Sequence, residues 1–210
     1  MLPELQRIEL RSSHILFRAG ESARYVHFPE GALISLLVTM EDGRSAEVSL
    51  IGAEGILGVH EILGAERCQY TAMVAVPGSC LRMGIKTFKL LCTNRNALQL
   101  RLDEYLRYLL VQVSQTAACN RLHRVKQRLA RRLLMIQDRV GRAEFPMTHE
   151  SLSAALGTPR SEVSFAAEAL RFLRIIDYTH GKVIILNRQH LESASCECYH
   201  VIHREYLRLR

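Results

Sequence analysis

No tryptophan occurs in this chain, and no run of apolar residues approaches the ~20 needed to cross a bilayer. The opening decapeptide MLPELQRIEL lacks the apolar centre of a signal peptide, so a cytoplasmic protein without a membrane partner is expected. Six cysteines, at 68, 80, 92, 119, 196 and 198, show no disulfide-framework spacing and are expected to be reduced in that compartment. Also missing are a glycine-rich phosphate loop, a nucleophile–base constellation and paired carboxylates at a catalytic spacing. No enzymatic activity and no catalytic residue are expected. A metal-dependent β-barrel enzyme would need clustered His and Glu in its strands, and only His60 and Glu61 come close.

What is present is a soluble composition, 48% hydrophobic with a mean hydropathy of +0.01, long enough at 210 residues for one or two domains. Its charge is unevenly placed. Residues 120–210 hold 16 Lys+Arg against 9 Asp+Glu, whereas residues 1–119 hold 12 of each, so the whole formal excess of +7 lies in the last 91 residues. A basic footprint confined to one segment is what binding to a phosphate polyanion requires.

Within that segment, residues 147–186 carry the pattern of a helix-turn-helix followed by a two-stranded wing. Thr148 is a good N-cap for a short helix with Leu152, Ala155 and Leu156 on one face, and Gly157 supplies the turn. Thr158 and Pro159 then mark a second helix start, followed at helical spacing by Val163, Ala166, Ala167 and Leu170. Its first turn is polar and its later turns apolar, so the body can be buried while Arg160, Ser161, Glu162 and Ser164 point outward toward a major groove. Residues 175–178 and 183–186 have strand character around the turn 179–182, and His180 and Lys182 at the tip would lie beside the phosphate backbone. Thr148 and Thr158 complete the predicted DNA contacts.

The first 92 residues are mainly β. Strand-length runs at 14–17, 33–38, 46–51, 70–76 and 80–83 are separated by turn signals such as Asp42-Gly43 and Pro77-Gly78, which predicts a sandwich or barrel. Between two of these strands, the glycine-rich stretch 55–64 is a place for a small effector, with Gly55, Leu57, Gly58, His60, Gln69 and Tyr70 as candidate pocket residues. From Asn96 the pattern becomes helical. Leu98, Leu102, Tyr105, Leu109, Gln112, Thr116 and Cys119 recur at alternating spacings of four and three, a heptad stripe that predicts a homodimer seam. At 1.5 Å per residue, residues 97–119 would form a rod of roughly 35 Å. A further amphipathic helix over 121–140 opens the basic segment. The expected organisation is a sensor domain at 1–95, a dimerisation helix and hinge at 96–120, and a DNA-binding domain with its tail at 121–210. The tail, helical in part, contains Cys196-Glu197-Cys198-Tyr199-His200 and His203; this is not a familiar structural-zinc spacing, and no metal is expected there.

In this order of parts, and in the segments Asn120-Arg121-Leu122-His123, Arg128-Leu129-Ala130-Arg131-Arg132-Leu133-Leu134, residues 148–157 and Ala194-Ser195-Cys196-Glu197-Cys198-Tyr199, the chain resembles the Crp/Fnr superfamily of bacterial transcription regulators. The resemblance implies an α+β fold: a cyclic-nucleotide-binding-like β-roll, a long dimerisation helix and a C-terminal winged helix-turn-helix. It implies a homodimer reading a palindromic operator in double-stranded DNA, with a small-molecule effector and RNA polymerase as candidate partners. Arg160 matches the family's operator-contacting arginine. Where cyclic-AMP-binding members have a Glu and an Arg-Ser pair, this chain has Val59-His60 and Gln69-Tyr70, which argues against cyclic AMP, although Arg67 is two residues away. No cofactor is expected. The N-terminal cysteine cluster of iron–sulfur members is missing, since the first cysteine is Cys68. Phe165 stands where better-known members have an arginine, so the operator should differ from theirs. The alternative reading is a redox- or metal-responsive regulator whose Cys and His residues are the sensor.

Overall fold

The computed structural model describes residues 4–92 and 97–209; the expected boundary at 95–96 lies outside the described residues. Seven strands form the N-terminal half: β1 (Gln6–Leu10), β2 (Ile15–Phe17), β3 (Tyr25–Pro29), β4 (Leu33–Thr39), β5 (Ser45–Ile51), β6 (Thr71–Val76) and β7 (Gly78–Gly84). They pair antiparallel in two sheets, of order β1-β7-β3 and β2-β6-β4-β5. The strict alternation of β6 shows why: Ala72, Val74 and Val76 are buried while the residues between them are half-exposed. Ala72 and Val74 join Phe17, Ile34, Leu36, Ile51 and Cys80 in one core. Two short helices, α1 (Val59–Ile62) and α2 (Ile85–Leu91), interrupt and close the roll.

Two strands lie outside the strand-length runs named from the sequence. β1 is largely polar, with only Leu10 fully buried, and β3 ends in Pro29, which an edge strand tolerates because an N–H there need not donate to a neighbour. Both pair with β7 and take their stability from it.

The long helix α3 (Ala97–Leu122) follows. Its heptad stripe does not face outward. Leu102, Tyr105, Gln112, Thr116 and Cys119 are buried inside the same chain, and Leu98 and Leu109 are half-buried. Gln112 donates to Ser49 Oγ at 2.7 Å and to the Leu50 carbonyl at 3.2 Å. Tyr105 sits on Gly55, where an added Cβ would come 2.4 Å from the ring. The polar members of the stripe find partners within the chain, Gln112 on β5 and Thr116 at Arg131 of α4, so periodicity identified a buried face and assigned it the wrong neighbour. A second stripe, Leu106, Leu110, Val113 and Ala117, also runs at spacings of four and three. Leu110 is 68% exposed, Ala117 is exposed, and Leu106 and Val113 are half-buried.

The C-terminal half comprises α4 (Val125–Val140), β8 (Glu144–Pro146), α5 (His149–Leu156), α6 (Arg160–Phe172), β9 (Ile176–Thr179), β10 (Lys182–Ile185), α7 (Arg188–Ala194) and α8 (Glu197–Arg208). The wing is a three-stranded sheet of order β8-β10-β9. Its first strand is an addition to the two-stranded wing the sequence suggests, because three residues ending in Pro146 carry no periodicity. The tail braces the bundle: Arg188 reaches Asp138 Oδ1 at 2.7 Å and Tyr199 Oη at 2.6 Å, and Tyr206 Oη donates to the Asp138 carbonyl. Among the described residues no helix is long and apolar enough to cross a membrane.

The two halves share a core. Leu33, Leu50 and Val76 of the roll pack with Leu102 of α3, Leu129 and Leu133 of α4, and Leu156 of α5. Through it runs an ion pair between Arg139 of α4 and Glu54 of the loop after β5, at 2.8 Å and with both side chains 1% exposed. Arg139 also donates to Gln112 Oε1 at 3.2 Å, to the Met135 carbonyl at 2.8 Å and to Tyr108 Oη. Burial works against its charge, but the Glu54 carboxylate outweighs that, and the guanidinium is held more firmly protonated than usual. Arg132 makes a second bridge, to Glu47 of β5.

Removing one partner of a buried pair strands the other. Glu54→Ala should lower the unfolding free energy by about 3–5 kcal/mol, read by urea denaturation, whereas replacing Arg139 and Glu54 together by Met and Leu should recover most of the loss. A second test concerns His27 in β3, which burial first, then Arg82 and His14, hold to a pKa of about 4. The unfolded chain binds this proton near pH 6.5 and the folded chain does not. Stability should therefore fall as pH drops from 6.5 toward 4, by about 3 kcal/mol at most, and His27→Gln should flatten that slope.

Candidate nucleic-acid interface

Thr148 caps α5: its Oγ1 accepts from the Ser151 amide at 3.1 Å, and Ser151 Oγ accepts from the Thr148 amide in return. Gly157 ends α5 at φ +58°, seated on Ala46 of β5, where a Cβ would approach to 3.0 Å. The tight turn of the motif is thus also its contact with the roll. Helix α6 begins one residue later than the sequence suggests, with Pro159 as N-cap and Arg160 as the first helical residue. Thr158 does not cap it; its hydroxyl donates to Glu162 Oε2 at 2.9 Å.

Helix α6 divides as its sequence predicts. Val163, Ala166, Ala167 and Leu170 are buried. Arg160, Ser161 and Glu162 are exposed at its N-terminal end, and Phe165 is 80% exposed on the same outward face. Ser164 is the exception among the predicted contacts, since its hydroxyl is 2.9 Å from His149 Nδ1 and ties α6 to α5. His149 packs against the Tyr178 ring at 4.4 Å, and burial, then the Arg160 charge, push its pKa down. This imidazole is a neutral strut behind the exposed end of the helix. At the wing tip His180 is exposed at φ +49°, which the following Gly181 helps accommodate. Lys182 pairs with Glu144 Oε1 at 2.8 Å on the surface, a contact of small net worth that a phosphate can displace.

The predicted effector residues are not gathered round one cavity. Leu57 is fully buried and exchanges two backbone hydrogen bonds with His27. Gly55 serves the close approach of Tyr105, and Gly58, at φ +105°, begins α1. His60 and Tyr70 do meet, with Nδ1 2.7 Å from the phenolic oxygen and ring centroids 4.1 Å apart, while Gln69 is exposed. Glu61, which carries no predicted role, is buried and accepts from the Ala23 amide at 2.8 Å and from Cys68 Sγ at 3.0 Å. An open cleft of about 1090 Å³ lies elsewhere on the roll, between β1 and β3, with Arg11, Arg24, Arg67 and Arg82 on its walls.

A β-roll joined through a long helix to a winged helix-turn-helix with an exposed arginine-bearing N-terminus defines a DNA-binding transcription regulator. Comparison bears this out. Residues 7–95 match the cyclic nucleotide-binding domain and residues 127–194 the Crp-like helix-turn-helix domain. The chain belongs to the Crp/Fnr superfamily of transcription regulators. Among solved structures it is similar to FixK2 from Bradyrhizobium japonicum, at 15% identity with a TM-score of 0.78, covering 91% of this chain and 98% of that one. A CRP-family transcriptional regulator from Thermus thermophilus shares 20% identity with a TM-score of 0.75, over 90% of this chain and 96% of that one. The c-di-GMP-responsive global regulator CLP from Xanthomonas campestris shares 12% with a TM-score of 0.69, over 87% and 94%. The comparison with curated proteins gave no match.

Proposed function

We propose that the chain acts as a homodimer that reads a two-fold symmetric operator, with the N-terminal end of α6 in the major groove and the wing tip on the backbone, and that it works by binding alone in the cytoplasm. The observation that carries the reading is the free outer face of α6, where Arg160, Ser161, Glu162 and Phe165 are exposed within the half of the chain that holds the entire positive excess. Arg160 supplies a bidentate donor for a guanine edge, and the Phe165 ring an apolar surface for a thymine methyl. The Leu106, Leu110, Val113 and Ala117 stripe supplies the seam that sets two heads about one DNA turn, roughly 34 Å, apart.

The signal is a small molecule felt at the roll, and cyclic AMP is a poor fit. The positions that would hold its ribose and phosphate carry Val59-His60 and Gln69-Tyr70, and His60 and Tyr70 are engaged with each other. The second reading, a metal or redox sensor with DNA binding as its output, is favoured by one observation: Cys119, His123, Cys196 and Cys198 converge. Cys68 belongs to a separate group with His60 and Glu61, in which burial pushes its thiol up to about 12.

Arg160→Ala should cost about 1–3 kcal/mol of operator affinity and relax specificity at one base pair, while Lys182→Ala should weaken all sequences alike and flatten the salt dependence. Selection of binding sites followed by titration at several salt concentrations reads both; unchanged specificity in the Arg160 variant sinks the assignment. Leu110→Glu should shift the monomer–dimer equilibrium roughly 100-fold or more, since each buried Leu contributes about 1.5–3 kcal/mol and symmetry counts it twice. Analytical ultracentrifugation showing an unaltered dimer would rule out this seam.

A further inference from the structure

The end of α3 and the start of α8 bring four metal-ligating side chains into one small volume. Cys119 lies in the last turn of α3, His123 follows four residues later just beyond Leu122, Cys196 is the N-cap of α8 and Cys198 lies in its first turn. Cys119 Sγ is 3.5 Å from Cys196 Sγ, and Cys198 Sγ is 3.7 Å from His123 Nδ1. All four donor atoms lie within 4.8 Å of one another. A tetrahedral zinc site with Zn–S about 2.3 Å and Zn–N about 2.0 Å has ligand-to-ligand edges of roughly 3.5–3.8 Å. These two separations are such edges, and small side-chain rotations close the remainder.

We propose that Cys119, His123, Cys196 and Cys198 bind one thiophilic divalent cation of the zinc class in a closed Cys3His site. The outer shell supports it independently. His123 Nε2 is 3.3 Å from Glu197 Oε2, and a carboxylate on that nitrogen fixes the tautomer that leaves Nδ1 free to coordinate. Three thiol protons pass to solvent as the ion binds, so three thiolates and a divalent ion leave one negative charge. Arg131, buried and close enough to act on both Cys119 and Cys198, offsets it. The three cysteines are buried and His123 is 16% exposed, so four protein ligands leave no open position and the site is structural. His200 and His203, the histidines nearest in sequence, stay outside: His200 is exposed, and His203 faces Asp138 between Tyr199 and Tyr206. The ion would clamp the α3–α4 junction to the C-terminal tail.

The full chain, purified under reducing conditions, stripped with a chelator and titrated with Zn²⁺ or Co²⁺, tests the site without reference to DNA. One equivalent per chain is expected, with thiolate-to-cobalt charge-transfer absorption, tetrahedral ligand-field bands and a rise in Tm of roughly 5–10 °C on adding zinc. His123→Ala and Cys198→Ala should each weaken binding roughly 100-fold or more, exceeding the 10–100-fold typical of an outer-shell loss, and Cys68→Ser should change neither stoichiometry nor spectrum. The folded, reduced wild-type chain taking up no metal overturns the proposal. So does uptake that survives loss of all three cysteines, or a Cys119–Cys196 disulfide as the only chemistry these thiols show.

Discussion

The contact on which the arrangement depends is the buried Arg139–Glu54 pair. It lies where the loop after β5, the middle of α3 and the end of α4 meet, and Tyr108 and Gln112 of α3 complete the guanidinium's hydrogen bonds. A buried pair of this kind contributes little net stability relative to apolar packing, but it tolerates few alternative geometries. Apolar contacts among Leu33, Leu50, Leu129 and Leu133 could slide; a guanidinium that must satisfy a carboxylate, a carbonyl, a phenol and an amide cannot. The pair therefore fixes the angle at which the helix-turn-helix unit sits on the roll, a geometric function that an apolar contact would serve less well.

That placement gives a physical route between the two ends of the molecule. Glu54 lies in the same short segment as Gly55, which admits Tyr105, and as Gly58, which starts α1 and leads to His60. A change at the His60–Tyr70 contact would be felt by this segment, and through Glu54 and Tyr105 by α3 and α4. Arg132, bridging to Glu47 and reaching Ser35, gives the neighbouring strands a second hold on α4. The basic segment thus spends part of its charge internally: Arg132, Arg139 and Arg188 are engaged with carboxylates. Other basic groups of this segment, Arg160 among them, stay exposed.

How much of this was legible depends on where each signal is written. The helix-turn-helix was, because its caps, turn glycine and polar-then-apolar helix are local features: Thr148, Gly157 and the buried Val163, Ala166, Ala167 and Leu170 stand as read. The effector pocket was not, because glycine is ambiguous; Gly55 exists for Tyr105, a contact fifty residues away that no window on the sequence spans. The dimer stripe failed differently. Two heptad stripes share α3, and the one with more conspicuous residues, Tyr105 and Gln112, is the one the chain keeps for itself, with Gln112 bonded to β5 and Thr116 to Arg131. The plainer one, Leu106 with Leu110, Val113 and Ala117, keeps Leu110 and Ala117 exposed.

The cysteines follow the same logic. Along the chain, Cys196 and Cys198 suggest His200 and His203 as companions, and that spacing is not a familiar structural-zinc pattern. Folding replaces those companions. A helix that starts at Glu197 turns His200 outward, and the crossing of α8 over α3 brings Cys119 and His123, more than seventy residues upstream, to face the two thiols. Their spacing of four, with the His123 amide bonded to the Cys119 carbonyl just past the end of α3, stacks the two side chains on the same side. The sequence signal for the site is therefore two short pairs, one at each end of the DNA-binding unit. Each pair is unremarkable alone, and only the antiparallel return of the tail unites them, so the same crossing that braces the bundle through Asp138 also assembles the four ligands.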